Sequence, residues 1–78
     1  MLNVSSNLPG MQCAPAMRIG SELQREDVLL DGTYVGQIVY VQRKHKIRGS
    51  EYGWRPARAR GNVRLVTKVD AVRAVLRG

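Results

Sequence analysis

Regular hydrophobic patterning in this chain becomes clear only from Val28 onward. There VLL precedes the dipeptide Asp31-Gly32, and TYVGQIVYV follows it. Asp-Gly favours a tight turn with positive φ, and β-branched and aromatic residues favour strands, so Val28–Val41 is predicted to form a hairpin. Both faces of its second strand are partly apolar, which indicates a central strand. Gly36 within it predicts a bulge or a close backbone approach.

The next stretches predict a polar connection and two further strands. Arg43–Gly53 reads as a long polar loop. Trp54–Ala59 is predicted to be a strand, and Pro56 places it at an edge or in a bulge because proline cannot donate to a β-ladder. After the turn at Gly61-Asn62, Val63–Val66 is predicted to be a short third strand.

The C-terminal stretch has helical spacing. Thr67 is predicted to cap a helix over Lys68–Arg77, with Asp70 as the acidic partner of a capping box. Apolar residues recur along one face of this segment and should pack on the sheet. They are Val69, Val72 and Leu76, with Ala71 and Val75 beside them.

These elements predict an α+β fold. A small antiparallel three-stranded sheet, with a short extra strand at Val28 as the alternative count, carries one C-terminal helix on one face and leaves the other face free. Residues 1–26 have two prolines and no sustained periodicity, and are predicted to be a flexible N-terminal segment. Residues 27–78 form the single domain. A small SH3-like barrel is the alternative fold, because short strands joined by glycine turns fit it as well.

Charge is unevenly distributed along the 78 residues. The chain has 13 Lys and Arg against 6 Asp and Glu, a formal net charge of +7. Residues 1–42 hold two basic and four acidic side chains, whereas residues 43–78 hold eleven basic and two acidic ones. A positive half of this density favours binding to a polyanion such as nucleic acid. Solubility alone is the alternative explanation.

Several function classes find no support in the composition. Cys13 is the only cysteine and His45 the only histidine, so we expect no disulfide, no metal site and no cofactor. Neither a nucleophile with a base nor a carboxylate pair stands at recognisable spacing, and we predict that the chain is not an enzyme. No apolar run approaches the roughly 20 residues of a membrane span, and no signal-peptide pattern is present. A cytoplasmic location, with the nucleoid if the partner is DNA, is expected.

Two basic stretches are the candidate binding residues. If the strand after Gly53 is regular, Trp54, Arg58 and Arg60 share one exposed face that can contact bases and phosphates, with Arg55 on the other face. The connecting loop is predicted to hold phosphates through Arg43, Lys44, Lys46 and Arg48. The alternatives are that Trp54 is a core residue and that the charged loop is merely solvated; a bulge at Pro56 would turn Trp54 inward.

The order DGTYVGQIVYV, basic loop, GWRPARAR and VTKVDAVRAVL resembles the small three-stranded-sheet-plus-helix modules of tyrosine-recombinase arm-binding domains and AP2-type DNA-binding domains. Thr67, Lys68 and Ala71 match the "Thr-Lys-x-x-Ala" entry into their helix. The likeness covers about two thirds of the chain and extends to small stand-alone proteins of actinobacteria and phages. It implies that the DNA-facing residues are Trp54, Arg55 or Arg58, and Arg60.

Together these observations predict a non-enzymatic protein that binds nucleic acid, double-stranded DNA rather than RNA. The alternative is a phage or mobile-element protein that binds and modulates a host protein through the free sheet face. A homo-oligomer built on that face is a third arrangement.

Overall fold

The computed structural model describes residues 9–77, which form an antiparallel four-stranded sheet and one C-terminal helix. The strands pair in chain order, each with the next. The α+β class with a C-terminal helix is confirmed, but the prediction of three strands is wrong. The elements are β1 (Met11–Ala16), β2 (Gln24–Leu30), β3 (Thr33–His45), β4 (Gly49–Pro56) and α1 (Lys68–Arg77).

The additional strand, β1, lies in the segment predicted to be flexible. It pairs with β2 from Met11 opposite Leu30 to Ala16 opposite Arg25, and Met11 is buried. Pro15 is tolerated because β1 is an edge strand, where a missing N–H faces away from the ladder. The proposed boundary at residue 26 therefore falls inside β2. Residues 1–8 of the predicted flexible segment lie outside the described residues.

The predicted hairpin between β2 and β3 is present. Asp31 and Gly32 have φ of 51° and 83°, the two positive values that a tight two-residue hairpin turn requires. Gly36 permits a close approach, as its sequence position indicated: a Cβ at this residue would lie 2.7 Å from Val75 Cγ1 of the helix. The helix therefore packs directly on the backbone of β3.

The predicted long loop over residues 43–53 is wrong, because β3 continues to His45 and β4 begins at Gly49. Polar cross-strand pairs hold this extension: the side chain of Gln42 donates to Ser50 over 3.0 Å, and Arg43 stands opposite Glu51. Pairs of this kind stabilise a ladder without an apolar face. Because both faces of this extension are polar, the hydrophobic and polar positions do not alternate there and do not predict the strands.

The predicted strands after Gly53 are shorter than expected. β4 ends at Pro56, and the N–H of Ala59 turns back to the Pro56 carbonyl over 3.2 Å. Val66 forms only an isolated antiparallel bridge with Trp54, through two backbone hydrogen bonds of 2.8 and 2.9 Å. Proline cannot donate the next ladder bond, so the regular strand ends there.

Helix α1 covers one face of the sheet. The N–H of Asp70 donates to Thr67 Oγ1 over 3.2 Å, which confirms the predicted cap. The buried helix residues Ala71, Val72 and Val75 pack with Val28 and Ile38 of the sheet, whereas Leu76 of the predicted stripe is exposed. No helix within residues 9–77 is long and apolar enough to cross a membrane.

Candidate nucleic-acid interface

A two-stranded ribbon projects from one end of the sheet. The pairing of β2 with β3 reaches only to Tyr40, whereas β3 and β4 stay paired as far as His45 opposite Gly49. The five residues of β3 beyond Tyr40 extend about 16 Å at roughly 3.3 Å per residue. We define the ribbon as residues 42–52; none of them is buried. The predicted phosphate-binding loop is therefore an ordered, projecting hairpin.

The ribbon is strongly basic. It holds four basic side chains and a single carboxylate, that of Glu51. His45 Nε2 lies 2.8 Å from Glu51 Oε1, and Arg43 Nη1 lies 3.9 Å from the same oxygen. The hydrogen bond from His45 lowers the pKa of Glu51. The one acidic group is thus engaged with residues on its own face of the ribbon.

The remaining cations of the ribbon are unpaired. Lys44, Lys46 and Arg48 are exposed and form no ion pair within residues 9–77. Elsewhere in this part of the chain, the ion pairs of Arg25 with Glu22 and of Lys68 with Glu26 engage two other carboxylates. Positive charge is therefore partly neutralised in the body of the sheet and free on the ribbon.

An apolar residue occupies the tip of the ribbon. Residues 46–48 form the turn, and Gly49 closes it with φ of 80°. Ile47 is 97% exposed between Lys46 and Arg48. Sequence reasoning missed this residue as a candidate. The available signal was one aliphatic side chain inside an otherwise basic run, at a position where polar turn residues are usual.

More apolar side chains are exposed at the base of the ribbon. The connection between β1 and β2, residues 17–23, is here called the shoulder loop. Met17 and Ile19 in it are 87% and 63% exposed, and Leu23 is also exposed. The N–H of Leu23 donates to the Tyr40 carbonyl over 2.9 Å, which fixes the loop beside the first residues of the ribbon. The predicted N-terminal segment therefore contributes to this end of the molecule.

Trp54 lies on the helix-covered face of the sheet. It is half-buried, and its ring centroid is 5.2 Å from that of Tyr40. Lys68 Nζ of the helix lies 5.4 Å from the Trp54 ring centroid, within the range of a cation–π contact. The predicted exposed face shared by Trp54, Arg58 and Arg60 does not form, because the helix packs on the Trp54 side and the strand ends at Pro56.

The basic residues from Arg55 onward form a second, separate group. Arg55 lies on the face away from the helix and donates to the Ala59 carbonyl over 3.1 Å. Arg58 lines a shallow hollow beside Tyr34 at the beginning of β3, and Arg60 is exposed in the following loop. Along β3, the distance from Tyr34 to His45, just before the ribbon tip, is about 36 Å at roughly 3.3 Å per residue. The predicted site residues are thus divided between two places.

The sheet face opposite the helix carries a polar network. Arg25 donates to Glu22 over 2.8 Å and also to Gln37, whose amide donates to Asp27 over 2.8 Å. This hydrogen bonding lowers the pKa of Glu22. A Cβ on Gly53 would lie 2.7 Å from Leu65 Cβ, so the segment before the helix covers part of this face. The predicted open basic face is therefore largely replaced by an ion-paired one.

The other reactive groups do not assemble into a site in the described residues. Cys13 is half-buried, and burial raises the pKa of its thiol, which favours the less nucleophilic protonated form. Across residues 9–77, no three His, Cys, Asp or Glu side chains are grouped so as to hold a metal ion.

The fold and the ribbon define the class of protein: a small α+β protein with a meander sheet, one C-terminal helix and a projecting basic hairpin. Comparison with protein-family models, curated proteins and solved structures found no match. The resemblance to recombinase arm-binding and AP2-type modules therefore stays a prediction.

Proposed function

We propose that this chain is a non-enzymatic nucleic-acid-binding protein that inserts its ribbon into a groove of double-stranded DNA. The observation that carries the proposal is the exposed two-stranded ribbon, on which Lys44, Lys46 and Arg48 form no ion pair with any described residue. DNA grooves admit β-ribbons, and a projection of about 16 Å exceeds the groove depth of about 8 Å. The basic tip can therefore reach the groove floor while the ribbon base contacts phosphates.

Electrostatics supports the same partner. Cations on a projecting element approach phosphates without displacing internal ion pairs, and each phosphate neutralised releases counterions. Arg58 and Arg60 lie at the opposite end of β3 from the ribbon tip, so they add to the long-range attraction for the duplex and do not contact the same groove. In this arrangement only the ribbon enters the groove, and the protein acts on DNA in the cytoplasm, at the nucleoid.

Duplex DNA fits better than duplex RNA. The major groove of A-form RNA is too deep and narrow for side chains to read, and its minor groove is shallow. A projecting ribbon suits the grooves of B-form DNA. An RNA duplex of the same sequence that binds equally well would contradict the preference for DNA.

The test compares two variants that lose the same charge. The ribbon variant is Lys44→Ala/Lys46→Ala/Arg48→Ala, and the control is Arg64→Ala/Arg73→Ala/Arg77→Ala, whose arginines are exposed in or near the helix. Fluorescence anisotropy with a labelled duplex of about 20 bp, two helical turns, is measured over a series of salt concentrations. Losing three phosphate contacts should lower the salt slope by about 2.7.

The two variants should behave differently. We expect the ribbon variant to lose at least about tenfold in affinity at low salt, and the control to keep most of its affinity and slope. Equal losses in both would indicate a net-charge effect and contradict the assignment to the ribbon. Unchanged binding in the ribbon variant would exclude the ribbon as the DNA-binding element.

The shoulder loop favours one alternative function, binding to a host protein. Exposed Met17, Ile19 and Leu23 beside a basic ribbon suit a partner with an apolar patch inside an acidic rim. The same surface also suits self-association, with a second copy of this chain as the partner. A pull-down that survives nuclease treatment and is abolished by Met17→Ser/Ile19→Ser would favour a host protein; sedimentation at two concentrations would detect self-association.

A further inference from the structure

We propose that Ile47 is an apolar wedge that enters between adjacent base pairs and kinks the duplex. This inference rests on the proposed DNA binding and specifies how the ribbon engages its target. Ile47 is the most exposed large hydrophobic residue within residues 9–77, and it stands at the tip of the one element that projects from the sheet.

Neither the conformation of the turn nor packing within it requires an isoleucine at this position. Gly49 supplies the positive φ that closes the hairpin, and Ile47 packs against nothing, being 97% exposed. Aliphatic side chains that unstack bases act from such exposed positions on proteins that enter the minor groove, and isoleucine is one of the residues used. The side chain therefore gains its buried environment only in a complex.

The flanking charges fit this geometry. Lys46 and Arg48 stand on either side of Ile47 in a turn of three residues. A minor groove about 6 Å wide is bordered by phosphates of both strands, so one cation can face each strand while the aliphatic group points at the base pairs. The ribbon behind the tip, polar on both faces, keeps the body of the protein away from the duplex.

Insertion makes two measurable predictions. The duplex should bend, which shortens the distance between its ends, and the bases beside the wedge should unstack. Because unstacking costs free energy, a duplex with a central mismatch, where stacking is already weakened, should bind more tightly, by about tenfold.

The experiment uses the full chain with Ile47→Ala and the control Leu76→Ala, an exposed leucine on the helix. Energy transfer between dyes on the two ends of the duplex reports bending, and 2-aminopurine fluorescence reports unstacking. Anisotropy reports affinity for the matched and mismatched duplexes. Thermal melting of Ile47→Ala should match that of the wild type, because Ile47 is 97% exposed, whereas Leu76→Ala should melt slightly lower, because Leu76 is 38% exposed.

We expect the wild type and Leu76→Ala to raise both signals and to prefer the mismatched duplex. Ile47→Ala should still bind through its cations, within about fivefold of the wild-type affinity, but should lose the bend and the preference. Binding without a bend in the wild type, or the same bend in Ile47→Ala, would overturn the wedge and leave DNA binding intact. No binding by the wild type would overturn both proposals. Binding to anionic lipid vesicles that depends on Ile47, with the duplex left straight, would assign the tip to a membrane surface instead.

Discussion

The body of the sheet and the ribbon use the same two strands in opposite ways. Ile38, on the part of β3 under the helix, is fully buried, whereas Ile47, nine positions later, is 97% exposed. In the body, apolar side chains and a buried Glu26–Lys68 ion pair hold the strands beneath α1. In the ribbon, cross-strand polar pairs hold β3 and β4 together. One part of the hairpin is therefore built for stability, and the other is available for contact.

This difference shows why net charge alone is a poor guide to the binding surface. Arg25 and Lys68 belong to the same basic chain, yet each is held by a carboxylate. Within residues 9–77, the cations without ion pairs include Lys44, Lys46 and Arg48 of the ribbon, which projects beyond the helix-covered part of the sheet. The candidate binding surface is the part of the molecule where the fold leaves cations without ion pairs.

The largest predicted effect is a difference in the free energy of unfolding between variants of the two isoleucines. Ile38→Ala should lower the free energy of unfolding by about 3 kcal/mol, because it leaves a cavity in the core. Ile47→Ala should change it by less than about 0.5 kcal/mol. Urea denaturation followed by circular dichroism measures both. Similar losses in the two variants would mean that the ribbon tip packs against the body.

The next largest effect is a difference in stability between variants of two lysines. Lys68 Nζ lies 2.7 Å from Glu26 Oε1, and Glu26 is only 6% exposed. Lys68→Ala leaves that carboxylate buried without its cation, so we expect a loss of about 2 kcal/mol, below the 3–5 kcal/mol typical of fully buried pairs. Lys46→Ala should be neutral in the same denaturation experiment. A neutral Lys68→Ala would show that the pair contributes little.

The smallest effect is a pH dependence that belongs to the body. Because the hydrogen bond from Arg25 lowers the pKa of Glu22, folding favours the carboxylate. The stabilisation is present above the ordinary glutamate value and is lost as the pH falls below about 4.3. Glu22→Gln should therefore be less stable than the wild type at neutral pH, by about 0.5 kcal/mol, and this difference should shrink as the pH falls below about 4.3.

The ribbon supplies the matched control for that titration. The pKa of Glu51 is also lowered, but by contacts within the ribbon. Glu51→Gln should change the melting temperature less than Glu22→Gln does, because the Glu51 carboxylate is more exposed and its interactions are more strongly screened by solvent. A melting difference for Glu51→Gln as large as that for Glu22→Gln would contradict the division between ribbon and body.

The parts of the fold that sequence analysis predicted correctly have local causes. The Asp31-Gly32 turn needs only the positive φ of two residues, and the helix start needs only the Thr67 hydroxyl three residues from its donor. Gly36 was correctly interpreted as a close approach, although its partner, Val75, becomes known only from the packing. Each signal lies within a few residues of its consequence.

The incorrect predictions involve partners distant in sequence. β1 becomes a strand because Met11–Ala16 finds the edge of β2, and the ribbon forms because polar residues of β3 and β4 face each other. Trp54 turns towards the helix because Lys68 and Tyr40 lie there. The eight predicted binding residues therefore divide into four in the ribbon, Trp54 and Arg55 in the last part of β4, and Arg58 and Arg60 after that strand.

The most direct test of DNA binding by the ribbon is amide chemical-shift mapping of the nitrogen-15-labelled chain during titration with duplex DNA. We predict the largest shift changes at residues 42–52, little change around Arg58 and Arg60, and none in the middle of α1. Changes concentrated in α1, with the ribbon amides unmoved, would contradict the account.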